Sequence, residues 1–184
     1  MAGHVCPWWV GYLLASPLRR LGQNPKTILA PYISKGMVVL DMGCGMGFFS
    51  LDMARMVGPE GKVVCVDLQP QMIKSLVRRA SRAGLMDRID HRICTNDSLC
   101  IEDLVGRIDF ALAFAVVHEV PDAHIFLGQI HSVLNPEGTF LLVEPIGHVS
   151  KKRFQETENL AKSAGFKILE KPQIRRSRAV VLKC

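Results

Sequence analysis

Residues 38 to 54 read VVLDMGCGMGFFSLDMA. An apolar run ends in a single carboxylate, Asp41, and glycines follow at alternate positions, Gly43, Gly45 and Gly47. An amphipathic run then begins. A glycine lacks the Cβ that keeps other backbones out of tight turns, so such a loop can bend sharply and let a ligand approach the main chain. The segment from 47 to 57 is expected to be helical, which would aim unpaired amides and a positive dipole end at that ligand. Anionic groups of small molecules are held in such places. The spacing discriminates between loops of this kind. The dinucleotide fingerprint is G-x-G-x-x-G, and Phe48 stands where its third glycine would be. The lysine and hydroxyl of a phosphate-binding P-loop are missing as well.

Working outward, the pattern alternates. MVVLDM (37–42), KVVCVDL (62–68), residues 89–94, IDFALAFAVV (108–117) and TFLLVEP (139–145) are expected strands. Between them, residues 70–83, 98–105 and 122–134 are expected helices, and Asp122 is a natural N-cap. A helix over 150–164 precedes two last strands, FKILEKP and RAVVLKC. Their link is too short for a parallel crossover, so that pair must be antiparallel. The expectation is an α/β domain with a doubly wound, mostly parallel seven-stranded sheet whose last strand is antiparallel. In such sheets ligands lie at the carboxyl ends of the strands.

The chain has 184 residues and a formal net charge of +6. That size suits one domain. The charge favours anionic partners without implying nucleic acid. The six cysteines contain no C-x-x-C pair, so zinc-ribbon spacing is absent and a reducing, cytoplasmic setting is expected. His4, Cys6, His118 and His148 have no metal-ligand spacing, and no metal is expected. VCPWWVGYLLA (5–15) is too short to span a bilayer, and no lysine or arginine precedes it. Residues 1–36 are read as a helical N-terminal extension or lid, with Asn24-Pro25 as a helix start, and residues 37–184 as the ligand-binding domain. Adjacent Trp8 and Trp9 project in different directions, so one of them is hard to bury. With Tyr12 they would close over a ligand, plug the sheet or lie on a membrane surface, and exposed tryptophans would favour a homodimer.

Four stretches in this order carry a resemblance: VLDMGCGMG, VVCVDLQP, TNDSL and LNPEGTFLLVEP. The chain resembles the class I S-adenosylmethionine-dependent methyltransferases from about residue 36 to 184, and HEVPD (118–122) is similar to the H-x-x-P-D stretch of the small-molecule members. The resemblance implies a Rossmann-like methyltransferase fold with S-adenosylmethionine as cofactor. It implies that Gly43, Cys44, Gly45 and Gly47 run along the amino-acid end of the cofactor, with Asp41 supporting it. Asp67 would take the ribose hydroxyls and Leu68 would pack on the adenine. Asn96, Asp97 and Ser98 would meet the adenine edge, and Phe114 would border the methionine.

Methyl transfer requires a positioned nucleophile, and a base only where the nucleophile must lose a proton. His118 is the candidate base, with helix capping as its other reading. Glu144 and His148 leave the fifth strand at the same edge and are candidate substrate contacts beside Trp8, Trp9 and Tyr12. The expected acceptor is a small molecule. A nucleic-acid acceptor is disfavoured, because the N/D-P-P-Y/F stretch of base-amino methyltransferases has no counterpart after the fourth strand. A cofactor-binding protein without turnover is the remaining alternative.

Overall fold

The computed structural model describes Trp9, Gly11 and residues 16–184. Trp8 and Tyr12, two of the expected lid residues, lie outside the described residues, as do His4 and Cys6. The sheet has seven strands: β1 (Val38–Met42), β2 (Lys62–Asp67), β3 (Ile89–Ile93), β4 (Ile108–Phe114), β5 (Leu134–Pro145), β6 (Lys167–Glu170) and β7 (Ser177–Lys183). Their order across the sheet is β3-β2-β1-β4-β5-β7-β6. The pairs β1–β2, β1–β4, β2–β3 and β4–β5 are parallel, and β7 runs antiparallel to both β5 and β6. The closing pair is antiparallel, as its short link requires.

Within residues 16–184, five α-helices accompany these strands: α1 (Pro25–Leu29), α2 (Ser50–Val57), α3 (Pro70–Arg82), α4 (Ala123–Val133) and α5 (Lys151–Ser163). Residues pointing to opposite sheet faces feed two separate cores. Val39, Phe110, Leu112, Phe114 and Val143 face α1, α2 and α3, where Leu29, Met53 and Leu76 pack. Leu40, Ala111, Ala113 and Leu142 face α4 and α5, where Leu127, Ile130 and Phe154 pack. This two-sided burial explains why the central strands read as unbroken apolar runs. Leu29 is fully buried and Tyr32 stacks on Phe110 with ring centroids 5.6 Å apart, so residues 25–33 are built into the first core.

Several expected boundaries shift, among them the start of β5, expected at 139 and found at Leu134. The helix expected from 47 begins at Ser50, because Phe48 and Phe49 both turn into the first core, edge to face at 5.1 Å. The strand expected to reach 117 stops at Phe114, where Ala115 takes a left-handed φ of 61°. The helix expected over 98–105 is only a 3-10 turn, Glu102–Leu104, after Cys100 adopts φ 56° and sends Leu99 and Ile101 into the second core. Among the described residues, no helix is long and apolar enough to cross a membrane.

Candidate active site

The carboxyl ends of β1, β2, β4 and β5 meet at one edge, and the glycine loop lies there. Its glycines are required for different reasons. A Cβ on Gly43, whose φ is 67°, would lie 2.3 Å from Val116 Cγ2, so this position is kept bare by the protein's own β4–α4 loop. A Cβ on Gly45, at φ 54°, would meet nothing within 4 Å and would project into the open side of the loop. Gly47 packs against Leu76 on α3. The loop's amides are largely committed to the chain itself. Gly43 and Cys44 donate to the Val66 carbonyl at 2.8 and 3.1 Å, and Gly47 donates to the Cys44 carbonyl at 3.0 Å. Cys44 turns its thiol inward beside Cys65, and burial pushes that thiol well above its ordinary pKa.

The two carboxylates differ in role. Asp67 is nearly buried and accepts from the backbone N–H of Gly45 at 2.8 Å and of Gln69 at 2.9 Å. Those bonds orient it across the loop mouth, while burial raises its pKa. Asp41 is buried and accepts from the Ser50 hydroxyl at 2.5 Å and from the Ser50 backbone. The anion at the start of α2 is therefore the protein's own Asp41, which displaces the expectation that this helix end awaits a ligand carboxylate. Burial, with the nearby Asp67 charge, pushes the Asp41 carboxyl up to about 7, while Ser50 and Arg19 pull it down.

Arg19 stands beside the loop, at a place where sequence reasoning put no site residue. It belongs to a 3-10 turn, Pro17–Leu21, N-capped by the Ser16 hydroxyl. Its guanidinium lies over Phe48 at 4.5 Å, Phe114 at 5.3 Å and Phe49 at 5.5 Å from the ring centroids. Its Nε donates to Gln23 at 2.9 Å. Burial lowers its pKa to about 10, which leaves it charged at neutral pH. Arg20, next in sequence, pairs at 2.5 Å with Asp52, a buried carboxylate of α2 that also meets Arg55 at 3.3 Å. The proline-arginine turn thus straps the N-terminal segment across the loop mouth and holds a cation among three aromatic rings.

A second constellation follows β4. The left-handed Ala115 sends Val116 under Gly43 and carries His118 to the end of β5. There His118 Nδ1 lies 2.5 Å from Glu144 Oε2, and the His118 backbone N–H donates to Glu144 Oε1 at 3.2 Å. The Glu144 side chain is 1% exposed and that of His118 12%. The hydrogen bond to Glu144 raises the His118 pKa, against burial and the Arg153 charge. In the neutral imidazole, a carboxylate acceptor at Nδ1 favours the tautomer with the proton on Nδ1 and the lone pair on Nε2. Glu119 Oε1 lies 3.8 Å from that Nε2. The exposed His148 stands edge-on to the His118 ring at 5.7 Å. Glu144, a candidate substrate contact, is buried against His118.

A family model described as a methyltransferase domain matches residues 33–174. The chain belongs to the methyltransferase-domain family. A curated relative of this methyltransferase domain, ubiquinone biosynthesis O-methyltransferase of Azorhizobium caulinodans, is 33% identical over 74% of this chain and 50% of that protein. One of the same description from Xanthomonas axonopodis is 29% identical over 73% of this chain and 54% of that one. The chain spans about half the length of the curated relatives it matches. A SAM-dependent methyltransferase structure from Aquifex aeolicus has a TM-score of 0.86 over 97% of this chain and 98% of its own, at 21% identity. The [4+2]-cyclase SpnF has a TM-score of 0.70 over 82% of this chain and 61% of its own, at 20% identity. These two likenesses establish the fold, and the second shows how much chemistry one fold can carry.

S-adenosylmethionine is the cofactor of the class I methyltransferases, and the residues present fit it. The open side of Gly45 leaves room beside the main chain. Asp67, held by two amides, keeps outward lone pairs for ribose hydroxyls, with the half-buried Leu68 beside it. Asn96 and Asp97 are exposed after β3, and Asp97 has no carboxylate partner among the described residues. The Ser98 hydroxyl is engaged with Glu102 at 2.5 Å and closes its own loop. Phe114 stacks on Phe49 at 4.6 Å and forms the wall on which Arg19 rests. Trp9 is 64% exposed, and a Cβ on the buried Gly11 would meet Met72 and Met46 of the core.

Proposed function

We propose that this chain is an S-adenosylmethionine-dependent O-methyltransferase acting on a small hydroxylated molecule. The observation that carries this reading is the buried Glu144–His118 pair at the strand ends beside the glycine loop. When bound, the cofactor supplies a methyl group on a positively charged sulfur, already activated for displacement. The protein's remaining task is to hold a hydroxyl in line and take its proton as the new oxygen–carbon bond forms.

His118 accepts that proton at Nε2. Glu144 holds the ring and stabilises the imidazolium, so it acts through His118 as a positioning residue. A base of raised pKa is better matched to a phenolic hydroxyl, near 10, than to an aliphatic alcohol. Arg19 provides the counter-charge for the carboxylate at the amino-acid end of the cofactor, with Asp41 behind it. The description of the curated relatives as O-methyltransferases supports an oxygen acceptor.

Calorimetry with S-adenosylmethionine and S-adenosylhomocysteine, beside Asp67→Ala, tests the cofactor. Losing a charged hydrogen bond should weaken binding by about tenfold or more. Transfer of a labelled methyl group to catechol should then fall by about 10² to 10⁴ in His118→Ala. Transfer to amines alone, undiminished in that variant, would refute the oxygen reading.

A further inference from the structure

The loop after β3 holds its own shape but takes its place from another element. Residues 95–98 close on themselves. The Thr95 N–H donates to the Ser98 carbonyl at 2.9 Å. The Thr95 hydroxyl accepts from the Ser98 N–H at 3.1 Å and from the Asp97 N–H at 3.4 Å. The Ser98 hydroxyl then accepts from the Cys100 N–H at 3.0 Å, where Cys100 enters the left-handed region at φ 56°. These bonds are local. They fix the turn and leave its position against the body of the protein to something else.

That position is set from α4. The Leu99 N–H donates to Gln129 Oε1 at 2.9 Å, and Gln129 Nε2 donates to the Asp97 carbonyl at 3.5 Å. Among the described residues, these are the hydrogen bonds by which residues 95–99 leave the stretch 95–102. A carboxamide carries both an acceptor and a donor, so one side chain binds an N–H and a carbonyl of the same loop. α4 is a firm post for it. Asp122 caps the helix, and Phe126, Leu127, Ile130 and Val133 are buried, while Gln129 is half-buried.

The loop so held stands beside Asp67. The Cys94 N–H donates to the Asp67 carbonyl at 3.1 Å, and Asp67 pairs with Ile93 across the β2–β3 ladder. The exposed Asp97 therefore follows directly on the carboxylate that fits the ribose.

We infer that Gln129 is a positioning residue for recognition of the cofactor's adenine. It acts through the loop, keeping residues 97–99 where the Asp97 carboxylate accepts from the adenine amino group. A carboxylate on an exposed loop discriminates between ligands to the extent that its position is set before binding. Without the tie to α4, the loop would keep the turn closed by Thr95 and lose its register against Asp67. This rests on the cofactor reading in which Asp97 meets the adenine edge, and it is independent of the acceptor.

The test compares S-adenosylhomocysteine with S-inosylhomocysteine, whose base carries a carbonyl in place of the amino group. Calorimetric titration uses the full chain. Wild type should bind the adenosyl ligand about tenfold or more tighter, as a charged hydrogen bond gives. Gln129→Met and Gln129→Ala should lose most of that preference, with affinity for the inosyl ligand held within about threefold. Gln129→Glu keeps an acceptor for the Leu99 N–H and should keep the preference. In Asp97→Ala, which lacks the carboxylate itself, adding Gln129→Met should change the ratio no further, because both substitutions remove one contact. A preference that survives in Gln129→Met and Gln129→Ala, or an equal loss of both ligands, would overturn the inference and leave Gln129 a packing residue. Equal binding of the two ligands by wild type would overturn it together with the Asp97 contact. Failure of S-adenosylhomocysteine to bind wild type would instead remove the cofactor reading, and this inference with it.

Discussion

Gly43 and Gly45 are two residues apart and should answer to substitution in opposite ways. At both, alanine must enter the left-handed region, at a cost of about 1 to 2 kcal/mol. At Gly43 the new methyl also lands 2.3 Å from Val116 Cγ2. Overpacking adds about 1 to 3 kcal/mol, so Gly43→Ala should lower the melting temperature clearly and Val116→Ala should recover part of the loss. Gly45→Ala meets open space, so it should stay folded yet lose cofactor affinity in calorimetry. Equal melting temperatures for the two variants would contradict the packing argument. The His118–Glu144 pair makes a separate prediction. Glu144 raises the pKa of His118, and the base works only when neutral, so kcat/KM should climb with pH through a value above 6.5. Glu144→Gln should move that limb to lower pH while reducing kcat, because the ring loses the carboxylate that stabilises its charged form. A limb that stays in place would mean that Glu144 does no more than hold the loop.

The strap from Ser16 to Gly22 is the element whose role was least legible in the sequence. The sheet was readable because each central strand is buried on both faces and each link has a characteristic length. The glycine loop and Asp67 were readable because a close turn and a strand-end carboxylate are local features. Arg19 was not, since nothing local to PLRRL says that one arginine enters a box made by Phe48, Phe49 and Phe114 while the next grips Asp52. Glu144 was recognised as an edge residue, but its pairing with His118, 26 residues away, exists only once β4 and β5 lie side by side. The strap is testable through a ligand lacking the amino-acid part. Arg19→Gln should weaken S-adenosylhomocysteine binding about tenfold, in keeping with a lost charged hydrogen bond. Binding of 5′-methylthioadenosine, which has no carboxylate, should change little. Equal losses for both ligands would show that Arg19 merely packs the strap. Arg20→Ala should leave Asp52 to Arg55 alone and speed limited proteolysis ahead of Gly22.

Across the whole molecule, charge is sorted by depth. Asp41 and Asp67 are buried at the strand ends, and a net charge of +6 lies largely outside them. Burial disfavours the charged form of Asp41, the nearby Asp67 carboxylate adds to this, and the Asp41 pKa is pushed up to about 7. The unfolded value is near 3.9. An acid whose folded pKa lies above its unfolded one stabilises the fold when protonated. That stability is complete below about pH 4 and is lost as pH rises through about 7, at up to about 1.4 kcal/mol per pH unit. Other groups titrate in the same range, so the measurement is a difference. His118, also raised, contributes with the same sign at higher pH, and exposed Glu102, Asp103 and Glu137, all lowered, contribute with the opposite sign at lower pH. These groups remain in Asp41→Asn, which keeps a carbonyl for Ser50 but cannot ionise. Urea unfolding of both proteins from about pH 4.5 to 7.5 should show wild type losing ground steadily against the variant. Cofactor binding should reverse part of that slope, because the cationic sulfur and amino group favour ionised Asp41 and release its proton. Proton release would appear in calorimetry as a binding enthalpy that depends on the buffer. Parallel stability curves would place the Asp41 charge in a better-solvated setting than its burial describes, and the expected proton release would vanish with them.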